Sequence, residues 1–359
     1  MRWPWKSKSS RDQFIVSWSA GTFAYLRAKA NSDGVFTVQH MGVERQGADS
    51  MEDFVRRLQG LGFKGLDARV MLRPEQYQLL QIDAPPVSPE ELRSAARYQI
   101  RDMVNVHIDD ITLDVMQVGD GQHKGPHHMF VVAANNQVVR EVLALGDALH
   151  WNVPVIDIQE TAQRNLQSML AKQEGRVERA DAALLICGDQ QAVLTISANE
   201  ELFFSRRLDL PQGFMSMVWG SGHAESQADT DAFTPVAEYV PDYAVGGVSH
   251  GADYSGAGSS IGSASHAEDE RLQRFVVEVQ RSLDLWDRTW SSMPLSGLRV
   301  CAGERSTELA TWLAREVGQS VAPMDLAPQF PGLQDVPAAD QLYALPLLGV
   351  LLRTETRKL

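Results

Sequence analysis

The stretch Arg73-Pro-Glu-Gln-Tyr77-Gln-Leu-Leu-Gln-Ile82-Asp-Ala-Pro-Pro-Val-Ser88-Pro-Glu-Glu91-Leu-Arg-Ser-Ala-Ala96-Arg-Tyr-Gln-Ile100-Arg-Asp102 holds a strand, a turn and a helix start in thirty residues. Tyr77 to Ile82 is apolar and bounded by turn formers, which predicts a strand. Ser88-Pro89-Glu90-Glu91 then reads as a helix N-terminus: a serine cap, proline at the first position and a glutamate closing a capping box. The helix is expected to run to about Val104. Leu92, Ala96, Ile100 and Met103 share one stripe, and Arg93, Arg97 and Arg101, spaced four apart, share another face.

Outward from this stretch, strands and helices alternate. Upstream, Gln13 to Ser19 and Thr22 to Ala30 form a hairpin about Gly21, with a third strand at Val35 to His40. A helix over 50–61 follows, with Met51, Phe54, Val55 and Leu58 on one face, then a strand at 66–72. Downstream, strands at 112–118 and 128–134 precede a helix at 136–149, a strand at 153–158 and a helix at 162–172. A second unit opens at Ala182 with strands at 183–187, 191–197 and 201–208, so the three-strand opening occurs twice. A helix at 271–290 carries Leu272, Val276, Val279, Leu283, Trp286 and Trp290 at three- and four-residue steps. A strand at 298–301 and a helix at 306–317 complete a duplicated α/β plan.

Charge is uneven. Ten carboxylates and no Lys or Arg lie between Leu208 and Glu270, accounting for ten of the thirteen net negative charges. Residues 221–268 are also dominated by Gly, Ala, Ser and Asp. Such a segment cannot bury enough apolar surface to offset backbone entropy of about 1–2 kcal/mol per residue, and is expected to be a disordered linker. No basic patch of the kind that tracks phosphates is visible elsewhere, so a nucleic-acid partner is not expected. The longest apolar run, Tyr343 to Leu352, is about half the length a membrane span needs and is broken by Pro346. The basic N-terminal tail, 1–12, has no apolar region behind it and does not read as a signal peptide. With only Cys187 and Cys301 in the chain, a reducing, cytoplasmic setting is expected.

This plan, with Arg73 to Asp102 followed by Asp109-Asp-Ile-Thr-Leu-Asp-Val and Met129-Phe-Val-Val-Ala-Ala, resembles the PilM and MshI family of type IV and MSHA pilus biogenesis proteins. Val155-Ile-Asp-Ile-Gln-Glu is similar to the family's crossover into its second half, and Glu278 to Trp286 to its second connecting helix. The resemblance implies an actin-like, ribonuclease H-like duplicated fold. Its first half would span 13–160, with a small inserted subdomain at about 83–152, and its second half 161–359, interrupted by the 221–268 linker. It also implies a scaffold at the cytoplasmic face of the inner membrane, holding the cytoplasmic tail of a PilN- or MshJ-like inner-membrane pilus protein, with self-association as a further property. Arg93, Arg97 and Arg101 are then candidate partner-binding residues.

Nucleotide binding in this fold uses an Asp-x-Gly turn in each half: glycine lets the backbone approach phosphate, and the carboxylate handles Mg²⁺ and water. Here the first turn reads Ser17-Trp18-Ser19-Ala20-Gly21, the second Cys187-Gly188-Asp189, and the adenosine loop Cys301-Ala302-Gly303-Glu304. Gly21, Gly188, Asp189 and Gly303 are thus the residues of a degenerate site, and ATP binding is expected to be lost or weakened. No catalytic residue, metal or cofactor is assigned, and the chain is not expected to be an enzyme. The alternative is an active actin-like ATPase or small-molecule kinase, with Asp157 and Asp189 as the carboxylates placed to substitute.

Four further signals take bland readings. Gly247-Val-Ser-His-Gly251 matches a nucleophile elbow but lacks the flanking strand and helix that pattern needs. His123, His127 and His128 read as a solvated hairpin loop, and Trp3 and Trp5 among basic residues as a frayed terminus. The two cysteines read as small, buried, unreactive thiols.

Overall fold

The computed structural model describes residues 12–32, 34–118, 128–188, 190–220 and 260–354. Residues 1–11 of the N-terminal tail, His123, His127, Asp189, the Gly247–Gly251 match and linker residues 221–259 lie outside the described residues, and Asp12 opens the first strand.

In the first half, β1 (Asp12–Ser19), β2 (Thr22–Ala30) and β3 (Phe36–Arg45) form an antiparallel meander, and α1 (Met51–Gly60) returns the chain to β4 (Asp67–Leu72). An insertion follows: β5 (Tyr77–Asp83), α2 (Leu92–Ile100), β6 (Ile111–Gln117) and β7 (His128–Asn135). Then α3 (Asn136–Ala148), β8 (Asn152–Ile158) and α4 (Gln159–Gln173) complete the half. The second half repeats the pattern with β9 (Ala180–Ile186), β10 (Gln191–Ala198), β11 (Glu201–Asp209), α5 (Ser260–Thr289), β12 (Leu295–Cys301), α6 (Ser306–Val317) and β13 (Val321–Pro323), followed by α7 (Ala338–Ala344) and α8 (Leu347–Leu351). The two five-stranded sheets run β3-β2-β1-β4-β8 and β11-β10-β9-β12-β13, position for position the same order. In each, the meander is antiparallel and the last three strands are parallel.

Alternation along the central strands builds the layers. Phe14 and Val16 of β1 face α1 and α3, whereas Ile15 faces the central core. Ala182, Leu184 and Ile186 of β9 face α5 and α6, whereas Ala183 and Leu185 face the same central core. That core is closed by an exchange of helices. α4, the last helix of the first half, lies on β9, β10 and β11, and α8, the last of the second, lies on β1, β2 and β4. The insertion forms a three-stranded antiparallel sheet, β5-β7-β6. Leu92, Ala96 and Ile100 of α2 cover one face of it. Phe130, on the other face, belongs to the core of the second half.

Several sequence expectations shift. Residues 260–268, placed in the linker by composition, form the first turns of α5. The apolar stripe begins only at Leu272, so periodicity could not reveal them. Ser88 does bond Glu91, whose carboxylate accepts from the Ser88 amide at 3.3 Å and hydroxyl at 3.0 Å. Residues 89–91 are nevertheless a turn, and α2 starts at Leu92 and ends at Ile100, leaving Met103 exposed beyond it. Met51, at the first position of α1, is exposed too. Tyr343 to Leu352 is a pair of short helices broken at Pro346, and α8 is buried throughout because helix and sheet surround it.

α4 and α8 cross with their backbones touching. A Cβ built on Gly349 would stand 2.0 Å from the Ala162 carbonyl oxygen and 2.8 Å from its Cα. Gly349→Ala is therefore expected to destabilise by about 3 kcal/mol or more, since no flexible side chain can yield. Gly60→Ala, whose Cβ meets nothing within 4 Å, is expected to change stability by at most about 1 kcal/mol. Equal urea midpoints for the two variants would contradict the crossing.

Candidate functional site

In an open α/β sheet, ligands bind beyond the carboxyl ends of the parallel strands. The six parallel strands end at Ser19, Leu72, Ile158, Ile186, Cys301 and Pro323, and the residues that follow the first five meet at one junction between the halves. At the β1–β2 turn, Ala20 and Gly21 both have positive φ, 46° and 71°, as a two-residue hairpin of this twist demands. The Ser19 hydroxyl donates to the Glu75 carboxylate at 2.7 Å, and the Gln76 amide donates to the Trp18 carbonyl at 2.8 Å. A carboxylate does stand at this turn, supplied by the short 3-10 turn Pro74–Gln76 and not by β1 itself.

Gly188 and Gly303 meet through α7. The Tyr343 hydroxyl lies 3.2 Å from where a Cβ on Gly188 would stand, and Leu342 and the Ala338 carbonyl lie 3.8 Å from that of Gly303. Gly21 joins the same neighbourhood through the end of β3: its carbonyl accepts from the Gln46 amide at 2.8 Å, and the guanidinium of adjacent Arg45 stands 5.9 Å from the Tyr343 ring centre. Three of the four glycine-turn residues named from sequence thus come together.

Charged side chains cross the junction. Arg73, only 3% exposed, leaves the end of β4, places its guanidinium 5.0 Å from the Tyr343 ring centre, and donates to the carbonyls of Tyr343 at 3.0 Å and Cys187 at 3.5 Å. From the opposite side, Arg207 of β11 donates to the Pro74 carbonyl, to the Tyr77 carbonyl at 2.8 Å and to the Glu160 carboxylate at 3.2 Å. Glu160, fully buried at the start of α4, also accepts from the Tyr77 hydroxyl. Burial, with Glu160 adding to it, pushes that hydroxyl well above the ordinary tyrosine range.

Asp157 does not face the junction as a spare carboxylate. It is 3% exposed, 2.8 Å from the Arg353 guanidinium, and accepts from the Ile158 amide and the Thr161 hydroxyl, so it ties α4 to the chain beyond α8. The arginine row sits elsewhere, on the insertion. Arg93 pairs with Asp114 at 2.9 Å. Arg97 donates to the carbonyls of Ile108 at 2.7 Å and Ile111 at 3.2 Å, so its charge braces a turn. Arg101 is exposed beside Asp102. His128 pairs with Asp83 at 3.1 Å, and among the described residues no group of three or more His, Cys, Asp and Glu could hold a metal. Arg73, Glu75, Glu160, Arg207 and Tyr343 were not singled out from sequence. Arg73, Glu75 and Glu160 lie in the stretches that carried the family resemblance, and no spacing links them to Arg207 and Tyr343.

Two halves of one strand order, facing each other across the ends of their parallel strands and carrying an inserted sheet, define an actin-like fold. A solved structure described as the PilM-PilN type IV pilus biogenesis complex is similar over 95% of this chain and 98% of its own, with a TM-score of 0.65 and 13% identity. A protein of actin-like ATPase fold and unknown function from Bacteroides thetaiotaomicron covers 96% of this chain and 97% of its own, with a TM-score of 0.47 and 8% identity. The cytoplasmic domain of EpsL, an inner-membrane component of the type II secretion system of Vibrio cholerae, covers 55% and 71%, with a TM-score of 0.39 and 16% identity. No protein-family model and no curated protein matches the sequence. Among the described residues no helix is long and apolar enough to cross a membrane.

Both thiols at the junction are free. Burial pushes Cys187 up to about 12, against the opposing pull of Arg73 and the Gln159 amide, and burial raises Cys301 as well. Cys301 is buried and Cys187 partly exposed, so iodoacetamide near neutral pH is expected to modify Cys301 only after unfolding and Cys187 more slowly than a free thiol. The stability these neutral thiols allow is complete below the ordinary thiol range and falls as pH rises through it, because the unfolded chain ionises first. Native-state alkylation of Cys187 at the rate of a free thiol would contradict this.

Proposed function

We propose that this chain is an assembly scaffold of a type IV pilus system of the MSHA-like kind, holding the cytoplasmic tail of a PilN- or MshJ-like inner-membrane protein and turning over no nucleotide. The observation that carries the reading is the likeness, across nearly the whole of both chains, to a PilM-PilN complex. The absent Asp-x-Gly turns and the side chains packed between the halves support a site that holds ATP weakly or not at all.

For the tail, the insertion offers an edge strand and a cavity of about 510 Å³ beside it, lined by Gln81, Ile82, Asp83, Gln99, Met103 and His128. An extended peptide can add its backbone to β5 and set one apolar side chain against Ile82 and Met103. Met103 is 47% exposed, which leaves it free for such a contact. Arg101, exposed at the end of α2, is the member of the arginine row best placed to meet an acidic group.

Two measurements test this. Titration with MgATP is expected to show no saturable binding; low-micromolar affinity with turnover would overturn the scaffold reading. In a pull-down with the cytoplasmic N-terminal peptide of the neighbouring single-span pilus protein, Met103→Glu is expected to weaken capture about tenfold, equivalent to about 1.4 kcal/mol. Arg101→Glu is expected to weaken it less. Arg97→Glu is unsuitable, because it would break the turn at Ile108 and Ile111. Capture unchanged in both Met103→Glu and Arg101→Glu would place the contact elsewhere.

A further inference from the structure

We propose that Arg207 and Arg73 form a reciprocal clamp that holds the two halves and the inserted sheet in one arrangement with no nucleotide between them. The two side chains cross the junction in opposite directions. Arg73 reaches from the end of β4 to the Cys187 and Tyr343 carbonyls of the second half. Arg207 reaches from β11 of the second half to the Pro74 and Tyr77 carbonyls and to Glu160, where the inserted sheet and α4 begin. Pro74 is therefore gripped on both sides, its own residue supplying a carbonyl to Arg207 and its neighbour supplying Arg73.

The contacts are directional and sheltered. Glu160 is fully buried, and its two oxygens are shared between the Arg207 guanidinium and the Tyr77 hydroxyl, which itself accepts from the Gln159 amide at 3.2 Å. The Arg207 guanidinium also lies 4.6 Å from the Tyr77 ring centre, so one aromatic residue meets both charges. A buried ion pair of this kind adds little over an apolar substitute, but removing one partner strands a charge. It consequently selects one arrangement over neighbouring ones more than it adds stability. A ligand bound across the strand ends would couple the halves in the same place; here the chain's own side chains make that connection.

The inference goes beyond the scaffold reading and uses no peptide, so failed peptide capture leaves it untouched. The experiment is hydrogen exchange of the full chain, read by mass spectrometry over 73–83 and 201–209. In the wild type both stretches are expected to be protected equally with and without MgATP. Arg207→Met is expected to speed exchange over 73–83 by about tenfold or more, with β1 and β9 unchanged. If Arg207→Met does not fold, Glu160→Gln, which keeps size and removes only the charge, is read in the same way with a smaller rise. Unchanged exchange over 73–83 in a folded variant would overturn the clamp. So would slowing of that stretch by MgATP in the wild type, because closure would then belong to the nucleotide.

Discussion

The backbones of α4 and α8 touch where Gly349 passes Ala162, and this contact governs the rest of the architecture. Only a residue without a side chain lets two helices approach this closely. The close crossing lets each helix lie flat on the sheet of the opposite half. Neither half can cover its inner face alone: Ile15, Leu26 and Met71 depend on α8, and Ala183 and Leu185 on α4, within a single core. The halves are thus joined by a shared interior and not by a linker, which makes large opening motions expensive. Asn165 reinforces the crossing by donating to the Gly349 carbonyl at 2.9 Å, and Arg69 of β4 reaches the Val350 carbonyl.

α4 carries an unusual amount of polar chemistry into that interior. Gln159, Gln163 and Gln167, one turn apart, are all fully buried. Gln163 donates to the Ala183 and Val193 carbonyls at 2.9 and 3.1 Å, and Gln167 to the Asp181 carbonyl at 2.6 Å, while its own oxygen accepts from the Thr195 hydroxyl at 2.8 Å. Gln163 and Gln167 each bridge β9 and β10, whereas Gln159 donates to the Cys187 Sγ. Burying a polar group without a partner is costly, and the amide N–H groups of these side chains find their carbonyls at only one helix position, although the Gln159 and Gln163 side-chain oxygens stay without a partner. An apolar face could slide along the sheet by a turn with modest loss; a glutamine face cannot. The same helix start presents Gln159 and Glu160 to the junction, so its register also fixes where Arg207 finds its partner.

The sheets were legible in the sequence because alternation and turn glycines mark strands independently of the rest of the chain. The helix 306–317 was read to the residue, whereas Ser50, counted as the first residue of a helix over 50–61, stands just outside α1 and caps it by accepting from the Asp53 amide. What failed did so for identifiable reasons. Ser88 and Glu91 do make the bonds of a capping box, yet Pro89 to Glu91 close a turn before α2, so the stripe ended a turn earlier than counted and Met103 fell outside it. β13, α7 and α8 are too short to show a period, and an apolar run such as Leu347–Leu351 looks alike in a membrane and in a buried helix. The junction was least legible. Arg73, Glu160, Arg207 and Tyr343 are single residues far apart in the chain, joined by topology and not by spacing.

The glycines at the strand ends illustrate a related trap. Gly21, Gly188 and Gly303 all adopt positive φ, the conformation a phosphate-binding turn would ask for. Each also has a reason unconnected with any ligand. Gly21 is half of a two-residue hairpin turn, Gly188 lies against the Tyr343 hydroxyl, and Gly303 passes under α7 at Leu342 and Ala338. Backbone shape at these positions is set by the fold, with or without a ligand. What the junction can hold is therefore decided by the side chains around it. In this chain those are two arginines directed at main-chain carbonyls, a tyrosine stacked beneath one of them, and a buried glutamate that neutralises the other.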